Sequence, residues 1–546
     1  MGTFYRNGDV VEFGADLENF YSAHHYSVYK VNKDVLGFIV NQRDSPDTIP
    51  GNDTEFSIGH VRYSSSLRFQ SKDALQNAEV FIQPSDLLGK RTALFGMTRT
   101  GKSNTVKKVI EATVQISSKS KQKLSTASTA NVDDNLNSFE KDGSPKFPVG
   151  QIIFDINGEY ANSNLQDGNA IYDKYKSDVT RYSVLHKNGF TVLKINFYRQ
   201  IQSGFELAKS FLSDENVDYI KNLLAIDLTE PEKTDKSAYC RWERKIAAWL
   251  CCLYVAKFEP PTDLNTVKFS GNKELNELVK ADGSIKPDNG ISFDDAVNWF
   301  TTIWENYNTH KHFTDYKKDK GREWADEDLK ALLAFLTKKK TPGGAANISG
   351  YLKLRAIVEQ HTNTGVKGFE EDIIGKLREG KIIIIDLSQG NPKIQALYSE
   401  ILCQKIFNHS MIRFIGNLSN NFIQFYFEEA HNLFPKKDDK DLSQIYNRIA
   451  KEGAKLNLGM VYATQEVSSI SSNILKNTQN WFIAHLNNED EIKELRKYYD
   501  FADFADSLIR FSAKNDKGFV RMKTYSNPFI VPVQIDKFST DLKQNS

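Results

Sequence analysis

No stretch of this 546-residue sequence is apolar for long enough to cross a bilayer as a helix. The longest such run, Ile246 to Ala256, has 11 residues where about 20 are needed, and it follows Arg244 and Lys245 directly, so it reads as a buried helix. The opening Met1-Gly-Thr-Phe-Tyr-Arg leads into a charged stretch without an apolar core, which predicts neither signal peptide nor membrane anchor and therefore a cytoplasmic protein. Cysteine is scarce: Cys240, Cys251, Cys252 and Cys403 form no C-x-x-C pair and have no histidine at ligand spacing, which argues against a structural zinc site and for reduced core thiols. Neither sign of charge dominates. With 71 Lys and Arg against 70 Asp and Glu the net charge is +1, so there is no global basic footprint for nucleic acid, and any DNA contact has to be local, as in loops lining a pore. Also missing are an internal repeat and any HKD, D-E-x-K or Ser/His/Asp arrangement that would place nuclease chemistry in the chain itself.

What is present is an ordinary globular composition, 40% apolar, 26% charged and 12% aromatic, on a chain too long for one core. Short runs at Tyr26-Ser-Val-Tyr-Lys-Val, Val35-Leu-Gly-Phe-Ile-Val and Ile58-Gly-His-Val-Arg-Tyr, separated by turn residues, predict a small β-barrel over 1–85. From Thr92 the texture becomes that of a βα nucleotide-binding core: its first part covers 86–203, with an exposed, disordered loop at 118–147 rich in Ser, Lys, Asn and Asp. A charged helical insertion follows over 204–375, and 376–546 supplies the rest of the core and an extended tail. The apolar strands Gln151-Ile-Ile-Phe-Asp, Lys381-Ile-Ile-Ile-Ile-Asp, Phe422-Ile-Gln-Phe-Tyr-Phe, Gly459-Met-Val-Tyr-Ala and Trp481-Phe-Ile-Ala alternate with helices. This order predicts an α/β fold with a parallel sheet covered on both faces.

Gly96-Met-Thr98-Arg99-Thr100-Gly101-Lys102-Ser103 fits G-x-x-x-x-G-K-[ST] in full and lies between a strand and a helix that opens with Asn104. In such a loop backbone N–H groups wrap phosphates, the lysine reaches the β and γ phosphates, and the serine hydroxyl serves Mg²⁺. Glu428 and Glu429 end a buried strand at the edge where ligands bind in open α/β sheets. Glu428 is read on the metal side and Glu429 as the group acting on the attacking water. Gln465, at the end of another strand, is a candidate γ-phosphate sensor; either Asp155 or Glu159 could face the metal, unless Asp155 caps a turn. The implied cofactors are ATP and Mg²⁺.

The order GxxxxGKSN, D-x-x-G-E-Y (Asp155 to Tyr160), a helical insertion, I-I-I-I-D-L-S (Ile382 to Ser388), E-E-A-H-N-L-F-P (Glu428 to Pro435), R-I-A-K-E-G-A-K (Arg448 to Lys455) and L-G-M-V-Y-A-T-Q (Leu458 to Gln465) resembles the HerA branch of the HerA/FtsK ATPases over nearly the whole chain. The resemblance implies a RecA-like P-loop NTPase core behind a HerA-type N-terminal barrel. It also implies a homo-hexameric ring passing double-stranded DNA through a central pore, a separate effector such as a nuclease or sirtuin-like NADase, and a setting in antiphage defence or DNA processing. Where that family carries Gly-Arg-Lys this chain has Gly453-Ala454-Lys455, so the cation that reaches a neighbour's nucleotide has to be another residue, with Arg448, Lys451 and Lys455 the nearby candidates. Lys338-Lys-Lys and Lys436-Lys437 are candidate phosphate-touching loops.

Overall fold

The computed structural model describes residues 3–7, 10–14, 31–42, 52–62, 77–124, 138–163, 168–363, 369–389, 392–436, 439, 444–486, 488–498 and 516–540. The chain divides into two compact units: Met1–Tyr182 with Ile373–Ser388 and Tyr398–Ser546, and Ser183–Asp372 with Gln389–Leu397.

The first unit is built on a large, mostly parallel sheet. Its strands are β3 (Phe56–Val61), β4 (Glu79–Ile82), β5 (Arg91–Phe95), β6 (Gly150–Asp155), β7 (Val179–Ser183), β11 (Ile382–Asp386), β12 (Ile423–Phe427), β13 (Leu458–Thr464), β14 (Asn480–Ile483), β15 (Phe519–Lys523) and β16 (Val531–Ile535). A separate hairpin joins β1 (Thr3–Asn7) to β2 (Val10–Gly14). The sheet order is β4-β3-β16-β15-β14-β5-β13-β12-β6-β11-β7. All residues of β5, β6, β11, β12, β13 and β14 are buried, as expected where helices cover both faces of a parallel sheet and no face is left to carry polar residues. Stacked rings of Phe154 and Phe427, 5.0 Å apart, lock β6 to β12.

The registers matter more than the order. Phe95 pairs with Thr464, while Phe427 pairs with Tyr462 on one side and Phe154 on the other. These parallel strands therefore end level with one another, and Gly96, Gln465, Glu428 and Asp155 emerge along a single edge.

One sequence expectation needs correction. Val35-Leu-Gly-Phe-Ile-Val is not a strand but most of helix α1 (Lys33–Val40); Asn32 caps it by accepting from the Val35 N–H at 2.9 Å, and Asn41 ties its end to β4. Much of the segment expected to form the barrel over 1–85 lies outside the described residues. β3 and β4 are antiparallel additions to the large sheet, with Val61, His60 and Gly59 paired to Val533, Gln534 and Ile535. The strand expected at 26–31 lies outside the described residues except for its last position. Within the 118–147 stretch, 125–137 is likewise outside them, but its later flank is packed: the Phe139 ring lies tilted against Phe422, centroids 5.0 Å apart, and Ser138 bonds Asn457.

Further helices of this unit are α2 (Pro84–Leu87), α3 (Lys102–Ser118) and α4 (Ile171–Lys174). The second unit holds the short strands β8 (Thr191–Val192), β9 (Thr266–Val267) and β10 (Ile291–Ser292) but is mainly helical: α5 (Ile201–Leu212), α6 (Asp218–Leu224), α7 (Lys236–Val255), α8 (Lys273–Val279), α9 (Phe293–Asn306), α10 (Lys311–Lys320) and α11 (Glu327–Thr337). Its core holds Trp249, Phe205, Trp299 and Phe269 in edge-on contacts. The apolar run from Ile246 falls inside α7, where Ala247 to Leu253 are buried, so it is a core helix as expected. Helix α12 (Phe369–Arg378) leads into β11, and α13 (Pro392–Ile415), α14 (Ile445–Glu452), α15 (Ser472–Lys476) and α16 (Glu489–Arg496) complete the helices used below. The four cysteines are free thiols. Among the described residues no helix is long and apolar enough to cross a membrane.

Candidate functional site

The loop between β5 and α3 is shaped by its glycines. A Cβ on Gly96 would sit 2.7 Å from the Ala484 Cβ, and Gly101 adopts φ +100 while pressing against the Gly518 backbone, so neither position accepts a side chain. Gly101 is also the N-cap of α3 and offers no side chain to its first N–H groups, leaving a helix N-terminus with donors facing the loop. The loop is pinned to its neighbours by Met97 N–H donating to His485 O at 2.9 Å and Gly96 N–H to Thr464 O at 3.3 Å. Thr98 donates to the Gln465 side chain at 3.0 Å, which joins the loop to the sensor candidate before any nucleotide is considered. Arg99 is exposed and held at φ +68, a conformation that costs a non-glycine residue about 1 kcal/mol.

The lysine and the acids converge. Lys102 donates to Gly96 O at 2.6 Å. Burial lowers its pKa, and the negative charges of Glu429, Glu428 and Glu159 oppose that shift, so all three carboxylates lie within electrostatic reach of its ammonium. Glu428 is buried, and burial pushes its carboxyl up to about 7 against the opposing hydrogen bond from Tyr160. That bond runs from the Tyr160 hydroxyl to Glu428 Oε1. Glu429 sits at φ +45, ψ +47, a second left-handed non-glycine residue at the same edge. Its Oε2 is buried without a hydrogen-bond partner, with His431 Nδ1 3.5 Å away. His431 in turn shares a 2.9 Å hydrogen bond with Thr464.

An orphaned carboxylate oxygen beside a lysine and a serine-headed helix suits a hydrated cation with a phosphate chain, so the residues present fit Mg²⁺ with a nucleotide: Ser103 and Glu428 would hold the cation and Glu429 would face the water. Among the described residues no cluster of three or more His, Cys, Asp or Glu could hold a metal ion by itself.

Asp155 takes the turn-capping role. Its oxygens accept from the N–H groups of Glu159, Tyr160 and Ala161 at 2.9–3.0 Å, and burial raises its carboxyl to about 6. It builds the turn that presents Glu159 and Tyr160. Tyr160 was not singled out from sequence; its only signal there was its place at the end of D-x-x-G-E-Y. Arg448 is engaged inside its own subunit, with its guanidinium over the Phe407 ring at 4.4 Å and 3.7 Å from Glu452. Of the candidate DNA-contact lysines, Lys339 and Lys340 pair with Glu305 and Asp218, and Lys436 with Glu494. Lys437 lies outside the described residues.

No protein-family model and no curated protein matches the chain. The chain is a P-loop α/β protein. Solved structures to which it shows similarity include VirB4 of Thermoanaerobacter pseudethanolicus, at 11% identity over 88% of this chain and 96% of that one, TM-score 0.42. The bacterial conjugative coupling protein TrwBdeltaN70, in complex with sulphate, is 11% identical over 93% and 94%, TM-score 0.40. The genome packaging NTPase B204 from Sulfolobus turreted icosahedral virus 2, in complex with sulfate, is 14% identical over 32% and 73%, TM-score 0.24. Overlaps this loose carry nothing about the activity of the present chain.

Proposed function

We propose that this protein is an ATP hydrolase that works as the motor of a homo-hexameric ring, moving double-stranded DNA through a central pore for a separate effector protein. The observation that carries the ATPase reading is the Gly96–Ser103 loop closing on the open N-terminus of α3, with the Lys102 ammonium folded back onto Gly96 O at 2.6 Å. A triphosphate placed there receives backbone N–H donors from the loop and the Lys102 ammonium in exchange for the Gly96 carbonyl. Glu429, held in place by a backbone conformation it would not adopt freely, orients the attacking water and takes its proton. Tyr160 fixes one oxygen of Glu428, so only the other is free for the cation's hydration shell. Bound Mg²⁺ neutralises the phosphate charge that develops in the transition state. Gln465, already bonded to Thr98, is placed to register whether a γ-phosphate is there.

The motor, the DNA and the effector rest on the motif order that resembles HerA, as does an antiphage or DNA-processing role in the cytoplasm. Phosphate release by the full chain, with and without duplex DNA, tests the reading. We expect DNA-stimulated hydrolysis that Glu429→Gln abolishes while nucleotide binding survives; wild-type protein that releases no phosphate under either condition would refute it. A second reading, in which the ring chiefly scaffolds and regulates a nuclease or NADase-like effector, is favoured by Ala454 standing at the arginine position and by the engagement of Arg448 with Phe407 and Glu452. Full effector activation by Glu429→Gln rings would support it.

A further inference from the structure

Beside Gly101 and the first turns of α3 lies a cavity of about 360 Å³. Its inner wall is the first turns of α3, with Gly101, Asn104 and Lys107; its outer wall comes from the end of the chain, with Lys517, Gln534 and Phe538 among the lining residues. The outer wall is fastened rather than merely adjacent. Gly518 N–H donates to Thr100 O at 2.8 Å, inside the P-loop itself. Asn104 grips the chain beyond β16 from both ends of its amide, donating to Asp536 O at 3.0 Å and accepting from Phe538 N–H at 2.8 Å. Asn169 accepts from the Thr540 hydroxyl at 2.8 Å, and its carbonyl receives Lys107, which is only 2% exposed. Gln534 is fixed by Arg62 at 2.7 Å, and Arg62 is itself buried against Asp516 at 2.5 Å.

The lining is chemically one-sided: three lysines, three side-chain amides, one aromatic ring and no carboxylate. Such a wall suits a ligand that is anionic at one end and planar with hydrogen-bonding edges at the other, and the volume is in the range of small-molecule sites. The cavity begins at Gly101 and Asn104, where a phosphate chain lying along Gly96–Ser103 leaves the loop. We propose that this cavity receives the ribose and base of the nucleotide, with residues 516–540 as its outer wall. The proposal rests on the P-loop reading above.

Titration calorimetry of the full chain with Mg·ATPγS and with Mg·tripolyphosphate, which has no ribose or base, separates the two claims. We expect wild-type protein to bind ATPγS at least tenfold more tightly, and Phe538→Ala to erase most of that advantage while leaving tripolyphosphate affinity unchanged; retained tripolyphosphate binding also shows that the variant is folded. On the unaltered chain, ATPγS should slow tryptic cleavage at the exposed Lys537, and tripolyphosphate should not. Equal affinities for the two ligands, or equal protection by both, overturn the cavity proposal and leave the P-loop reading standing. Binding of neither ligand overturns both.

Discussion

Tyr160→Phe removes one oxygen atom from the centre of the site and leaves the ring in place. The side chain is fully buried and its hydroxyl donates to Glu428 Oε1. A hydrogen bond to a charged group contributes roughly 1.5–3 kcal/mol, one to a neutral group about 0.5–1.5 kcal/mol. Which value applies depends on pH, because burial pushes the Glu428 carboxyl up to about 7. Above that value the carboxylate is ionised in the folded protein and the bond is charge-assisted; well below it the carboxyl holds its own proton. The variant should therefore be destabilised by about 2 kcal/mol at pH 8, a loss of a few degrees in Tm, and by less than about 1 kcal/mol at pH 5.5. With its donor gone, Glu428 should titrate higher still. Scanning calorimetry of the nucleotide-free protein at the two pH values measures the difference directly. A penalty of equal size at both, or none at pH 8, would refute the claim that Tyr160 stabilises an ionised Glu428.

Lys102→Ala should cut hydrolysis by on the order of 10²–10³-fold, as loss of a single fixed charge at a phosphate does; near-normal phosphate release would remove the site assignment. Mass photometry should find six copies of the chain per particle, whereas a monomer with full, concentration-independent activity would remove the reason for a ring. Arg448→Ala should lower turnover without dissolving the ring, and mixing it with Glu429→Gln subunits should restore part of the activity, because an intact cation and an intact acid then share an interface; no recovery, with Lys455→Ala inactive, would move the role to Lys455. His409, half-buried against the Arg378 guanidinium at 3.3 Å, has its pKa depressed to about 4 by burial and by the charges of Arg378 and Arg413. It stays neutral in the fold while the unfolded chain takes up a proton near 6.5, so stability should be lost as pH falls from 6.5 towards 4, by roughly 1–2 kcal/mol after discounting for its exposure. His409→Asn should flatten that part of a pH–Tm curve; an unchanged slope would show that another group carries it.

The candidate site was legible in the sequence where its spacing is the one a phosphate ligand would dictate. Gly96 to Ser103 has to be spaced as it is to enclose phosphates, and Glu428 and Glu429 have to follow a buried strand to reach the sheet edge. The region before the P-loop was harder. Val35-Leu-Gly-Phe-Ile-Val is a short apolar run that fits either period, and the deciding signal was the capping bond from Asn32 rather than the run itself. The pairing of β3 with β16 joins residues more than 470 positions apart, and nothing in either segment's pattern names its partner. Asp155 was undecided between metal and turn because both uses need an acid after a strand; three backbone N–H groups within reach settle it. The Tyr160–Glu428 bond depends on two loops whose meeting only the assembled sheet determines.

That long-range pairing has a consequence for how the protein is made. β3 and β4 emerge from the ribosome early, yet the strand that covers their edge is β16, and the buried Arg62 meets its counter-charge only when Asp516 arrives. Until then the growing chain carries an unpaired strand edge and an uncompensated arginine, features that invite chaperone capture and mispairing. Chains interrupted before residue 516 should accumulate as insoluble or chaperone-bound species even though every P-loop residue has been synthesised, so completing the sheet doubles as a check that translation has run past the last strand.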